Sequence, residues 1–228
     1  MDGNMEIHRV ALYNNPNIGI YSRADDEFLL LPSGFPLEKG RRLADLLGSS
    51  LIEISVAGTR LLGPLSVMNR SGVLLSWMAG EEELSALRRA MPGRAIERFR
   101  SRATAVGNLL AANDRGAIAS SSLGAQELSQ IRDVLDVEVE PMRVAGFSQV
   151  GAVIAANNLG ALVHPLASDD ELSRIAEVLR VRDVDRGTVN EGVPFVSSGI
   201  IANDRAVLVG SKTTGPELFI VSKVFKGG

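Results

Sequence analysis

Cysteine is absent from these 228 residues, which excludes disulfides, zinc–thiolate centres and thiol nucleophiles together. Histidine is nearly as scarce, because His8 and His164 are the only two and leave little for a metal cage. Aromatic side chains make up 4% of the chain against 45% hydrophobic residues, so the core must be built mainly from Val, Ile, Leu and Ala. Positive charge is not in excess either. A formal net charge of −3 argues against a general nucleic-acid binder. No apolar run approaches the roughly 20 residues of a membrane span, and no charged-then-apolar leader opens the chain. Asn69-Arg70-Ser71 fits a glycosylation sequon, but nothing else points to secretion. The composition suggests a cytoplasmic protein without membrane contact.

What the chain does contain is repetition. The interval Gly-x5-Asn-x2-Gly occurs at Gly63, Asn69 and Gly72, again at Gly107, Asn113 and Gly116, and again at Gly151, Asn157 and Gly160. The steps 107 − 63 and 151 − 107 are both 44. Asn203 continues the series, with Ser197 and Ala206 in place of the glycines, and Gly19 lies one step before Gly63. A period of this size means that one supersecondary unit is copied, each copy burying its apolar face against its neighbours. Five copies, starting near residues 14, 58, 102, 146 and 192, form a single domain over 1–228. No unit of that length could support a core alone.

Within one copy, Val106-Gly107-Asn108-Leu109-Leu110-Ala111-Ala112 reads as a buried strand, and Asn113-Asp114-Arg115-Gly116 as a turn with Gly116 in the left-handed position. Ala117-Ile118-Ala119 begins the returning strand. Leu128, Ile131 and Leu135 then recur at helical spacing, and Val137-Glu138-Val139 alternates as a third strand. The fold class is therefore α/β, with a strand-strand-helix-strand repeat. Ser168 with Glu171 and Thr214 with Glu217 are capping-box pairs, and Gly80 with Glu83 and Gly124 with Glu127 stand in register with them. These four glutamates read as helix caps rather than as a ring of acidic ligands. After Phe225 the fifth copy lacks its last strand, while Met5-Glu6-Ile7 occupies that register at the other end of the chain. The expected architecture is a closed ring in which the first strand completes the last repeat.

The order and spacing of several segments resemble the translation initiation factor six family, in its archaeal type. They are Asn14-Asn15-Pro16-Asn17-Ile18-Gly19, Val106-Gly107-Asn108, Asn113-Asp114, Gly160-Ala161-Leu162-Val163-His164-Pro165, Gly187-Thr188-Val189-Asn190 and Thr213-Thr214-Gly215-Pro216-Glu217-Leu218. The resemblance runs from about Asn14 to Phe225. It implies a pentein-type closed ring of five units around a pseudo-fivefold axis. It also implies an activity without chemistry or cofactor: binding to the large ribosomal subunit, chiefly through large-subunit ribosomal protein fourteen, so that premature association with the small subunit is sterically prevented. The partners implied are that subunit, a release GTPase and an accessory release protein, with the factor itself a monomer. The family's large-subunit contact includes the asparagine after the third repeat's glycine, here Asn108. Eukaryotic members carry cysteines and a C-terminal tail that this sequence lacks. Pentein-type enzymes that act on arginine-like substrates are the alternative class, but they need a cysteine nucleophile, and this chain has none.

Comparison among the copies serves as an internal control: shared positions are architectural, and a departure in one copy is a better functional candidate. Asn69, Asn113, Asn157 and Asn203 are shared and read as turn residues. Asn108 is not shared, since its counterparts are Ile20, Pro64, Ala152 and Ser198. His164 is also unique but reads as a loop or packing residue. Arg88, Arg89, Arg94, Arg98, Arg100 and Arg102 crowd the second repeat, either paired with Glu81, Glu82, Glu83 and Glu97 or offered to local ribosomal RNA phosphates. Gly210-Ser211-Lys212-Thr213 lacks the spacing of a phosphate-binding loop. The candidate ribosome-binding residues are Asn108, Gly63, Gly107, Arg94 and Arg98, with no catalytic or metal-binding residue.

Overall fold

The apolar hairpins encoded by the repeats pair as short sheets in the computed structural model, which describes residues 5–226. Among the described residues there are five three-stranded sheets. In each, a two-stranded antiparallel hairpin is joined by a third strand running parallel to its second member, as in Leu110–Ala112, Gly116–Ser120 and Glu138–Met142. In four of them a helix of ten or eleven residues, such as Ala125–Leu135, makes the crossover between the parallel pair, and in the fifth the helix Gly215–Phe225 follows the hairpin while the parallel strand comes from the start of the chain. The ring closes as expected. Strand Glu6–Val10 pairs in parallel with Ala206–Gly210, from Glu6 opposite Ala206 to Val10 opposite Gly210. The pentein-type α/β ring implied by the resemblance is the observed architecture.

The hydrophobic core is divided among the seams between units. Ala111 and Ile118 of one hairpin pack with Val144, Val150, Val153, Ile175 and Leu179 of the following unit. At the closing seam, Leu12, Leu29, Leu31 and Leu47 from the start of the chain pack with Ile201 and Leu208 from its end. Each fully buried Val or Leu contributes about 1.5–3 kcal/mol only when its neighbour is in place, which ties the five units into one cooperative body.

The shared glycines serve this closure. A Cβ on Gly63 would overlap the carbonyl oxygen of Gly19, one on Gly107 that of Gly63, and one on Gly151 that of Gly107. Gly19 meets the Ser197 carbonyl in the same way, so four of the five junctions are glycine against carbonyl. Two expectations about this segment need correction. Val106–Leu109 is a single helical turn, and the strand begins only at Leu110. Gly116 is the first residue of a strand, and its φ is not among the positive ones. It is glycine because a Cβ there would overlap the carbonyl oxygen of Val178, on the next unit's helix.

The shared asparagines hold turns, as expected, and also bridge the units. Asn113 Oδ1 accepts from the N–H groups of Arg115 and Gly116 at 2.9 and 3.0 Å, which forms the turn. Its Nδ2 donates to Asn157 O and Leu179 O of the next unit at 3.0 and 2.8 Å. Asn69 makes the same pair of bridges to Asn113 O and Leu135 O, and Asn203 to Asp25 O and Leu47 O. The first unit carries Asp25 at this position and so lacks the amide donor. Arg94 supplies it: Nη1 donates to Asp25 Oδ2 and also to Asn69 O at 3.2 Å. The Arg94 side chain is 5% exposed and that of Asp25 11%, so the substitute is a buried ion pair.

The glutamate caps are present, with one addition. Glu83 accepts from the N–H of Gly80 at 2.8 Å and from those of Ala57 and Gly58, in the turn that precedes its own unit. Glu217 accepts from Thr214, Gly192 and Thr188. Burial opposes its charge, but these hydrogen bonds outweigh that penalty and hold its pKa down at about 2. Among the described residues no helix is long and apolar enough to cross a membrane.

Candidate functional site

Five single helical turns surround the axis at one end of the ring: Ile18–Ile20, Leu62–Leu65, Val106–Leu109, Val150–Val153 and Val196–Gly199. Glycines in four of the turns bring the backbones into contact, so the next residue of each turn rims a channel mouth. Ile20, Pro64, Asn108, Ala152 and Ser198 line it together. Asn108 is thus brought into one ring with the counterparts assigned by the repeat register. It is half-buried, and among the described residues its side-chain amide makes no hydrogen bond. Leu61 and Phe195, 42% and 41% exposed, begin two of the turns. The same end carries the loops that follow the second hairpin strands, with Trp77 49% and Leu166 76% exposed. This face combines exposed apolar side chains with isolated amide and hydroxyl groups.

His164 lies beside it as a packing residue. Its Nδ1 accepts from the Leu166 N–H at 3.1 Å, and its ring sits 5.1 Å from Phe147 and 6.1 Å from Phe195. Burial pushes its pKa down, which disfavours the charged ring.

The arginine cluster does not form one patch. Strand Ala95–Arg98 runs from the hairpin end of the ring to the helical-turn end, with Ala95 opposite Gly72 and Arg98 opposite Leu75. Arg94 and Arg98 therefore stand roughly 13 Å apart at opposite ends. Arg94 is consumed by Asp25 and Asn69. Arg98 reaches the helical-turn face, where Nε donates to Ala79 O at 2.7 Å and Nη2 meets Glu81 at 3.0 Å. Arg88 is also paired with Glu81, at 3.1 Å. Gly63 and Gly107 are buried and present no side chain to a partner. Of the five sequence candidates, Asn108 and Arg98 share the face, the two glycines support it from beneath, and Arg94 belongs to the opposite end.

That opposite mouth is polar and regular. Asp26, Asp114, Asn158 and Asp204 ring it. In four of the five units a backbone N–H donates to the next unit's side chain: Arg70 to Asp114, Asp114 to Asn158, Asn158 to Asp204 and Asp204 to Asp26, all at 2.8–2.9 Å. Burial pushes the Asp26 carboxyl pKa up, against the hydrogen bond from Asp204. No group of three His, Asp or Glu side chains is placed to hold a metal ion among the described residues.

Between the mouths sits a residue that the sequence reading passed over. Arg23 projects into the channel where the other units carry Val67, Ala111, Ala155 and Ile201. The comparison among copies that singled out Asn108 would have found it. Lys212, in the segment with the incomplete phosphate-loop spacing, pairs with Glu191 at 3.6 Å, and Thr213 donates to Asn190 Oδ1.

A family model described as the eIF-6 family matches residues 7–224. The chain is similar to Translation initiation factor 6 of Nitrosopumilus maritimus (strain SCM1), 39% identical over 97% of this chain and 99% of that protein. It is also similar to Translation initiation factor 6 of Staphylothermus marinus, at 36% identity over 98% and 99% of the two chains. The likeness to Translation initiation factor 6 of Thermococcus kodakarensis is 37%, covering 94% and 95%.

Proposed function

Because the chain belongs to the eIF-6 family, we propose that it is a cytoplasmic translation initiation factor that binds the large ribosomal subunit and sterically blocks joining of the small one. The observation that carries this reading is the face around Asn108. It combines exposed Leu61, Trp77, Leu166 and Phe195 with an amide that has no partner of its own among the described residues. A steric blocker needs a firm surface and tight contact rather than a reacting group. A standard interface buries about 1,600 Å² in total, and the strength of binding then depends on a few central anchors. Asn108 is the proposed central polar anchor, Arg98 a rim contact, and Gly63 and Gly107 the buried supports that keep the rim in shape. Arg94 acts at a distance from this face, by fixing the first unit to the second.

The partner is a basic large-subunit ribosomal protein, protein fourteen in the reading above, with local ribosomal RNA as a further contact. A chain of net charge −3 suits a basic partner, since charge complementarity speeds encounter and sets orientation. The factor acts as a monomer, and its removal is the task of a GTPase with an accessory release protein. Sedimentation of purified subunits tests the proposal. Saturating factor should leave the subunits separate, and joined subunits with factor still present would refute it.

A further inference from the structure

Two departures from the repeat pattern line the axial channel, on units that adjoin across the closing seam. The first unit places Arg23 where the others carry aliphatic residues. The fifth unit places Ser197 where the others carry Gly19, Gly63, Gly107 and Gly151. Both residues line the central cavity of about 80 Å³, and both also line the vestibule under the Asn108 mouth. The Arg23 guanidinium is engaged by carbonyls alone. Nε donates to Ser66 O at 3.1 Å, and Nη2 donates to Gly63 O at 2.7 Å and Gly107 O at 3.4 Å. No carboxylate pairs with it among the described residues, and Nη1 makes no hydrogen bond there. The Ser197 hydroxyl has no hydrogen-bond partner among the described residues either.

A part-buried guanidinium without a counter-charge is costly, and its remaining donor calls for an acceptor. The rest of the cavity wall includes Val67, Leu110, Ala111, Ile154, Ala155 and Ile200, whose side chains carry no acceptor. We propose that the channel is a binding site for a small inorganic anion of the halide class, held between Arg23 Nη1 and the Ser197 hydroxyl. A cavity of this size admits a monatomic anion with a water molecule. The two mouths set the direction of entry. Asp26, Asp114 and Asp204 guard the hairpin mouth and repel anions, whereas the Asn108 mouth carries no carboxylate. The anion therefore enters from the face proposed for docking, and a docked partner would cap it. Burial lowers the Arg23 pKa to about 10, still far enough above neutrality to keep the guanidinium charged.

The site is independent of ribosome binding and is tested on the free factor. Crystals grown in sodium bromide should show an anomalous peak beside Arg23. Thermal unfolding in sodium chloride, against sodium gluconate at equal ionic strength, should show a chloride-specific rise on the order of 2–4 °C. Arg23→Met should abolish both signals. Ser197→Ala, which keeps the Cβ and removes only the hydroxyl, should reduce the chloride response and provides a second arm should Arg23→Met not fold. Absence of halide density in the channel, or a chloride response equal in wild type and both variants, overturns the proposal.

Discussion

The two mouths of the channel are built from the same five repeats and follow opposite rules. At the hairpin mouth four of the five units keep the same asparagine, and its amide is used up in holding the next unit. At the helical-turn mouth the backbone repeats while the side chains do not: Ile20, Pro64, Asn108, Ala152 and Ser198 share a position and little chemistry. Where a side chain is needed to close the ring it is kept, or, as at Asp25, its loss is made good by a substitute donor from another unit. Where the backbone alone closes the ring, through glycine against carbonyl, the adjacent side chains are free to specialise. The variable mouth is therefore the one that can carry a specific interaction.

That contrast can be broken in four places, taken from the largest expected effect to the smallest. Deleting residues 1–12 removes Glu6–Val10 and bares the edge of Ala206–Gly210. The ring should then lose its cooperative transition altogether, as read by circular dichroism on heating. A truncated chain that melts like the full one would show that closure adds nothing.

The buried Asp25–Arg94 pair is the one irregular bridge at the regular mouth. Asp25→Ala strands a buried guanidinium and should cost about 3–5 kcal/mol in urea unfolding. Asp25→Asn combined with Arg94→Met recreates the bridge of the other units and should return to within about 1 kcal/mol of wild type. Equal losses for the single and double variants would refute the substitution of one bridge by the other.

Glu217 extends the comparison to pH. Its folded pKa of about 2 lies below the ordinary 4.5, so its contribution is present above about pH 4.5 and fades as pH falls toward 2. Glu217→Gln should lower stability by about 2 kcal/mol at pH 7 and flatten the acid limb between pH 4.5 and 2. An unchanged acid limb would show that the carboxylate gains nothing from its donors.

Asn108→Ala probes the variable mouth directly. Stability should move by less than about 0.5 kcal/mol, since no hydrogen bond is lost. Affinity for the large subunit should fall about tenfold, or about 1.4 kcal/mol. Loss of stability with affinity intact would make Asn108 one more architectural residue.

Much of the fold was legible in the sequence because the repeat carries its own control. The period, the capping glutamates and the N-terminal strand completing the last unit are all local patterns compared at fixed intervals. Misreadings arose where a local pattern has two geometric solutions. Val106-Gly107-Asn108-Leu109 is apolar and short enough to pass for a strand, and only contact with the preceding glycine turn selects a helical one. Gly116 suits a left-handed turn in isolation, yet it is glycine because a helix carbonyl of the next unit lies against it. In the same way, sequence proximity grouped Arg94 with Arg98, although an intervening strand separates them by its length.

By itself, the sequence determined the number of units, their order, the closure of the chain on itself and the positions at which one unit departs from the rest. These follow from hydrophobic periodicity and caps, which act over a few residues. Only the tertiary structure decided what each departure means. Asp25 is completed by Arg94 from another unit, the Asn108 amide has no partner among the described residues, and Arg23 lines the channel with Ser197. The reason is physical: hydrogen bonds and desolvation depend on what surrounds a side chain. In a closed ring those surroundings come from units at least 40 residues away in the chain.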